Sequence, residues 1–571
     1  MAASIQGLGQ RIAQGAGRCM PDLVLAGGRV FNLVTGDLAP ADVAIGGNTI
    51  VAVGPGLPGA ATLDCRNRIV VPGFVDAHLH VESSLLTPWE FARCVLPRGT
   101  TTAICDPHEI ANVLGARGIH YFLACSQALP LDLKVMLPSC VPATRLETSG
   151  ARLDAADLMA LRGHPAVLGL AEMMNFPGVL AGDPEVLAKL QAFAGGHLDG
   201  HAPLLRGRRL DGYLAAGIRT CHESTSLAEA AEKLVKGMVV LLREGGVAKN
   251  LRALAPLLNE RTSPFIGLCS DDRSVRDILR EGHIDHAVRL AIAQGVPPLA
   301  AYRAASWSAA NAFRLHDRGL VAPGWRADLA ILDDLDECRV SDVVANGKPL
   351  GSDSFAEGDP VAPAGLGSVR LPAVDSAVFA IPAAGTTGPV IGVSEGSLIT
   401  EYLTLPIPHR DGQWRPDSMA DLQKAAVLCR HGVASVGRGF VRGFNLSRGA
   451  LASSVGHDSH NVTALGMDDA DMAVAVNRLI ALGGGFVAVR DGRVLAELAL
   501  PVAGLMSARR YHEVDRDLEA VEAAAHDLGC RFASPFLQLA FLALPVIPHL
   551  KLTDKGLVDV DRQELVSGSI R

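Results

Sequence analysis

Between residues 22 and 63 the apolar positions come in short runs: Leu23-Val24-Leu25, Val30-Phe31, Val43-Ala44-Ile45 and Ile50-Val51-Ala52-Val53. Gly, Pro and Asn break them apart, a pattern that predicts small antiparallel strands joined by tight turns. From 72 to 320 the rhythm changes, and apolar runs alternate with longer Ala/Leu/Glu/Arg-rich stretches of helical character. Short strands return at 327–332 and 340–346. The chain therefore reads as an α/β protein in which a small β-sandwich is split across both flanks of a larger domain. The first part, with an N-terminal arm expected to fray, spans 1–71, and the return spans 321–350. A Gly/Pro/Ser/Asp-rich linker covers 351–367, and a further α+β domain occupies 368–571. In that last domain 486–495 predicts a hairpin turning on Asp491-Gly492. Gly483-Gly484-Gly485 precedes its first strand rather than a helix, so it reads as a turn and not a phosphate loop.

The large domain can be counted. Predicted strands end near His80, Asp106, Ser139, Glu172, His201, His222, Arg243 and Asp271, each followed by a helix-like stretch. Eight such βα units over about 250 residues fit a (β/α)8 TIM-like barrel, which keeps its chemistry at the C-terminal ends of its strands. Of the strand ends that carry His, Glu or Asp, those of strands one, four, five, six and eight are the candidates for metal ligation. In His78-Leu79-His80 the two imidazoles are two residues apart and face the same way on a strand. Alone, that pair is a weak signal, and Glu172, His201, His222 and Asp271 each have an ordinary reading as a packed histidine or a helix-capping carboxylate. Together, four histidines and two carboxylates around one ring are what two divalent ions about 3.5–4 Å apart require.

Composition narrows the remaining choices. With 571 residues and 49% of them hydrophobic, the chain builds a large core. Its net charge of −8 offers no electrostatic footprint for nucleic acid or an anionic membrane. Eleven cysteines without any Cys-x-x-Cys pair point to reduced thiols and a cytoplasmic setting, and they exclude a zinc ribbon or a Pro-Cys-x-x-Cys deaminase site. The apolar stretch 536–550 contains Gln538, Pro545, Pro548 and His549 and is too short to span a bilayer. The first twenty residues have no apolar run of the kind a secretory signal needs.

The run 72–115, PGFVDAHLHVESSLLTPWEFARCVLPRGTTTAICDPHEIANVLG, resembles the adenine deaminases of the amidohydrolase superfamily. So do Asp199-Gly200-His201-Ala202-Pro203, Cys221-His222-Glu223 and Cys269-Ser270-Asp271-Asp272-Arg273. Downstream, 455–461 (VGHDSHN) and 541–548 (FLALPVIP) resemble that family's own C-terminal domain. The resemblance implies His78 and His80 on one metal, Glu172 bridging, and His201 and His222 on the other. Asp271 is the implied strand-eight ligand and, with Glu172, a catalytic residue; Asp272 beside it is the alternative ligand. Further implications are a binuclear divalent centre with Mn2+ ahead of Fe2+ or Zn2+, an assembly of identical chains, and conversion of adenine and water to hypoxanthine and ammonia.

Holding a purine base takes further polar groups, and Glu82, Ser83, Asp106, His108, Glu109 and Asp272 are the candidates; Ser83 and Asp106 have an equal reading as helix caps. Glu223 is a candidate to orient a ligand imidazole. His457 and His460 read either as a second metal site or as a loop packed over the barrel mouth or against another subunit. Cyclic-amide hydrolases that bridge their metals with a carboxylated lysine on strand four fall behind, because no lysine lies between Lys134 and Lys189. Deamination of a modified adenine or a pterin is the closer alternative, and a non-catalytic scaffold the remote one.

Overall fold

The computed structural model describes residues 4–355 and 358–566; the tips of the predicted arm and C-terminal domain and two residues of the linker lie outside them. The arm is helical over Ile5–Gly15, with the Ser4 hydroxyl accepting from Gly7 N at 3.1 Å. That cap and the buried Gln14, whose amide donates to Asp22 at 3.1 Å, hold it against the small β unit instead of letting it fray.

The small unit is a sandwich of two sheets. One orders Thr49–Gly54, Asp42–Gly46, Leu23–Ala26 and Ala61–Asp64. The other joins Ile69–Pro72, from before the barrel, to Leu329–Asp334, from after it, in antiparallel register with Leu329 opposite Pro72 and Leu332 opposite Ile69. Leu23, Leu25, Val43, Ile45, Val70, Leu329 and Ile331 fill the space between the sheets.

Between these flanks stand the eight parallel strands Phe74–Leu79, Thr100–Cys105, Asp132–Leu137, Val167–Met173, His197–Gly200, Thr220–Cys221, Val239–Arg243 and Ile266–Cys269. The ring closes where Asp271 N donates to His78 O at 3.0 Å, and between strands five and six where Arg219 N donates to Leu198 O at 3.0 Å. Val75, Ala77, Ile104, Met136, Ala171, Leu241 and Cys269 plug the interior together with Phe313, so the barrel is a packed core open to chemistry only at its strand ends.

The C-terminal domain is built on an eight-stranded mixed sheet. Side chains alternate across it. Ala450 and Ala452 face the helix Asp469–Leu482, while Leu451 joins the opposite core with Val514, Leu518 and Val521 of the helix Tyr511–Asp527. The predicted hairpin is present, with Arg490 opposite Arg493 and both Asp491 and Gly492 at positive φ, the backbone a two-residue type I′ turn needs. This domain caps the mouth of the barrel: Thr148 N donates to Asp554 at 2.8 Å, Asn461 Nδ2 donates to Thr148 O at 2.9 Å, and Arg276 pairs with Glu519 at 2.7 Å.

Candidate metal centre at the barrel mouth

His78 and His80 close the first strand, the inward direction of both set by their two-residue spacing, with Leu79 between them in the hydrophobic core. Glu172, next to last on the fourth strand, reaches the middle of the mouth. Its Oε1 lies 3.5 Å from His80 Nε2 and 3.8 Å from His78 Nε2. Its Oε2 lies 2.7 Å from His201 Nδ1 and 3.4 Å from His222 Nε2. One carboxylate thus addresses two pairs of imidazoles, one pair per oxygen. Asp271 adds Oδ1 at 3.3 Å from His80 Nε2 and 3.9 Å from His78 Nε2. All six side chains are buried, and His78 Nε2, His201 Nε2 and His222 Nδ1 have no hydrogen-bond partner. Buried imidazole nitrogens left open around carboxylates are the arrangement a divalent cation satisfies, and His78-His80-Glu172 and Glu172-His201-His222 are each compact enough to hold one.

Electrostatics keep the carboxylates ready. Burial works against ionising Glu172, but His201 and then His222 outweigh it and hold its carboxyl well below the usual range. Burial opposes Asp271 as well, and the Arg243 guanidinium, 2.7 Å from its Oδ2, more than compensates. Arg243 also contacts Glu223, so one buried cation joins the ends of strands six, seven and eight. Behind His78, Asp199 Oδ2 lies 3.1 Å from Nδ1, while Asp199 Oδ1 accepts from Thr220 Oγ1 at 2.5 Å. His80 Nδ1 faces the Asp106 carbonyl at 3.0 Å. Both imidazoles thereby have their second nitrogen fixed, which sets tautomer and ring angle.

The other candidates divide. Asp271, at φ +54°, turns into the centre; Asp272 turns aside, accepts from Ser83 Oγ at 2.5 Å and still lines the chamber. Burial and then the Asp271 charge push the Asp272 carboxyl up. His108 and Glu109 line the chamber too. Asp106 and Ser83 stand behind that wall, Asp106 Oδ2 lying 3.1 Å from His108 Nδ1, and neither caps a helix. Glu82 is directed away from it and accepts from Ile110 N at 3.1 Å in the first turn of the helix His108–Leu114. The C-terminal loop packs over the mouth: His457 Nδ1 lies 2.6 Å from Glu109 Oε1, and His460 Nε2 contacts Glu109 Oε2. Leu398, Phe541, Leu544 and Ile547 from the same domain complete an apolar roof. The chamber holds about 30 Å3 of open space and adjoins a larger cavity of about 450 Å3, with Met174, Glu223, Arg243, Leu398 and Ile547 forming a wall common to both.

Sequence reasoning missed Arg243, Asp199 and Thr220. Two signals were available: Arg243 ends a predicted strand, and Asp199 stands two residues before His201, on the same side of the strand.

The sequence profile of the Amidohydrolase family matches residues 69–350, and that of the Adenine deaminase C-terminal domain matches residues 397–564. A protein named adenine deaminase from Cereibacter sphaeroides is 58% identical over 561 residues, 98% of this chain and 99% of its own. Another of that name from Methylobacterium nodulans is 57% identical over 560 residues, with the same coverage of both chains. Among solved structures, N-acetyl-D-glucosamine-6-phosphate deacetylase from Mycobacterium smegmatis superposes with a TM-score of 0.43 at 20% identity, over 58% of this chain and 100% of its own.

Proposed function

The chain belongs to the adenine deaminase family of the amidohydrolases, and from that premise we infer that its barrel mouth carries out hydrolytic deamination of adenine to hypoxanthine and ammonia. The observation that carries the assignment of the site is the split of Glu172, with Oε1 toward His78 and His80 and Oε2 toward His201 and His222. In this reading His78 and His80 would hold one divalent ion and His201 and His222 a second, Glu172 would be shared between them, and Asp271 would complete the first. Bound ions supply Lewis acidity and a water nucleophile that is available near neutral pH. An all-nitrogen-and-oxygen donor set without thiolate suits Mn2+, Fe2+ or Zn2+ alike, and it is the resemblance to the adenine deaminases that puts Mn2+ first.

The chain's own groups account for the proton movements. Asp271, kept ionised by Arg243, takes the proton released as water attacks C6 and passes it to the departing amine. Asp272, pushed toward its neutral form, can offer an O–H to a ring nitrogen, and Glu109 can accept from a ring N–H. Leu398, Phe541, Leu544 and Ile547 cover the base and exclude bulk water. Eleven unpaired cysteines support a reducing, cytoplasmic setting.

The test is to strip the protein with a chelator, reload it with Mn2+, Fe2+ or Zn2+, and follow hypoxanthine and ammonia. Turnover of roughly 1–10³ s⁻¹ is expected on reloading. A loaded protein that leaves adenine untouched but deaminates a modified adenine or a pterin moves the substrate to that alternative.

A further inference from the structure

Five of the six candidate ligands, His80, Glu172, His201, His222 and Asp271, line the chamber, and the C-terminal domain adds a further part of its wall. Almost everything it supplies there is apolar; His457 and Asp458 are its polar members. The His457 ring is fixed on two sides. Its Nδ1 lies against Glu109 Oε1 at 2.6 Å, and its face stacks on Phe541 with centroids 4.5 Å apart and planes 5° from parallel. Its backbone N–H is also held, donating to Ala540 O at 3.0 Å. The remaining ring atom, Nε2, is buried and has no hydrogen-bond partner. The two carboxylates within 4 Å of the ring, Glu109 and Asp458, both approach its Nδ1, so neither satisfies Nε2.

Open nitrogens on His78, His201 and His222 belong to rings that face Glu172. His457 instead lines the chamber in a ring orientation fixed by Glu109 and Phe541. A buried polar atom left open in a binding chamber is an unmet demand that a ligand can fill. We propose that His457, brought to the site by the C-terminal domain, hydrogen-bonds a ring nitrogen of the purine through Nε2 and so fixes how the base lies. This rests on the adenine reading above. Adenine carries two acceptor nitrogens away from the reacting C6–N1 edge, N3 and N7, and either can be the partner. Burial disfavours charge on His457, but the Glu109 carboxylate lying against Nδ1 outweighs it and holds the imidazole up at about 9. The ring therefore carries N–H on both nitrogens near neutrality, which makes Nε2 a donor to N3 or N7.

The experiment compares the full-length Mn2+-loaded protein with His457→Leu, which removes the donor, and His457→Gln, which keeps an amide donor near Nε2. Each is assayed for kcat/KM with adenine, 3-deazaadenine and 7-deazaadenine. Calorimetric dissociation constants of hypoxanthine and its two deaza analogues cover any variant too slow to assay. Metal content is measured alongside. The expected result is a wild-type preference of about tenfold or more for the natural base over one of the two analogues. That preference collapses to near unity in His457→Leu and survives in part in His457→Gln, with metal content unchanged. The proposal is overturned if His457→Leu keeps the wild-type preference, if the wild type prefers neither base, or if His457→Leu loses the metals. Wild-type protein that binds hypoxanthine but never deaminates adenine instead defeats the underlying reading, a separate and recognisable outcome.

Discussion

Asp199 Oδ2 sits 3.1 Å behind Nδ1 of His78, and Asp199 Oδ1 is itself held by Thr220 Oγ1 at 2.5 Å and by Gly200 N at 2.9 Å. A carboxylate fixed this way orients a ligating imidazole and raises its basicity. Asp199→Asn keeps the shape but loses the charge, and is expected to weaken metal retention roughly 10–100-fold. Competition with a graded chelator measures this. Thr220→Val, which leaves the carboxylate in place, should lose less.

Glu172 addresses both imidazole pairs, one with each carboxylate oxygen. Glu172→Gln leaves an amide whose nitrogen cannot ligate, so one of the two ions loses its shared donor. A fall in kcat of about 10³-fold or more is expected, equivalent to about 4 kcal/mol of barrier. Elemental analysis should show fewer ions per chain than in the wild type.

Arg243 is buried between Glu223 and Asp271. Arg243→Met leaves two buried carboxylates without their cation, a change that costs about 3–5 kcal/mol in comparable sites. Asp271 is held low in the folded chain, so its contribution to stability is present above the ordinary carboxylate range and is lost as the pH falls. Removing the cation raises that folded value, so the folded and unfolded values draw together and the variant, less stable from the start, should lose less further stability on acidification than the wild type. Denaturant titrations at a series of pH values read the flatter dependence, while the acid limb of the rate profile should move to higher pH.

Glu147 reports on the seam between the two large domains. Burial, and then the Asp458 charge, push its carboxyl up to about 8 from 4.5. A folded value above the unfolded one means the folded chain binds more protons between those limits, so stability falls as pH rises from 4.5 to about 8. Glu147→Gln has no charge to bury. Unfolding curves should show the variant gaining on the wild type through that window, by roughly a few kcal/mol at its upper end.

Sequence carried the barrel far because each strand is a short apolar run ended by a residue with chemistry. His80, Asp106, Glu172, His201 and His222 all lie within one residue of the observed strand ends. What pattern could not supply is side-chain direction past the last strand residue. Asp271 and Asp272 are equivalent on paper; the positive φ of Asp271 is what turns one inward and leaves the other for Ser83. Glu82 looked like a binding group but lies in the tight turn Val81–Ser84, and its carboxylate serves the backbone of the helix His108–Leu114 after the second strand. The role of Arg243 was hidden for a different reason. Its partners are 20 and 28 residues away, and such pairs are visible only once the ring has closed.

The pairing of Ile69–Pro72 with Leu329–Asp334 has a consequence for how the chain is made. Some 260 residues separate the two partners, so at typical synthesis speeds of 5–20 residues per second the first strand waits roughly 13–50 s for the second to emerge. Arg29–Phe31 shields one side of it during that wait, and the other side stays open until nearly the whole barrel has been translated. The sandwich is thus a buckle fastened only after the barrel, and a nascent chain arrested before residue 329 presents a sticky β-edge to other chains and to chaperones.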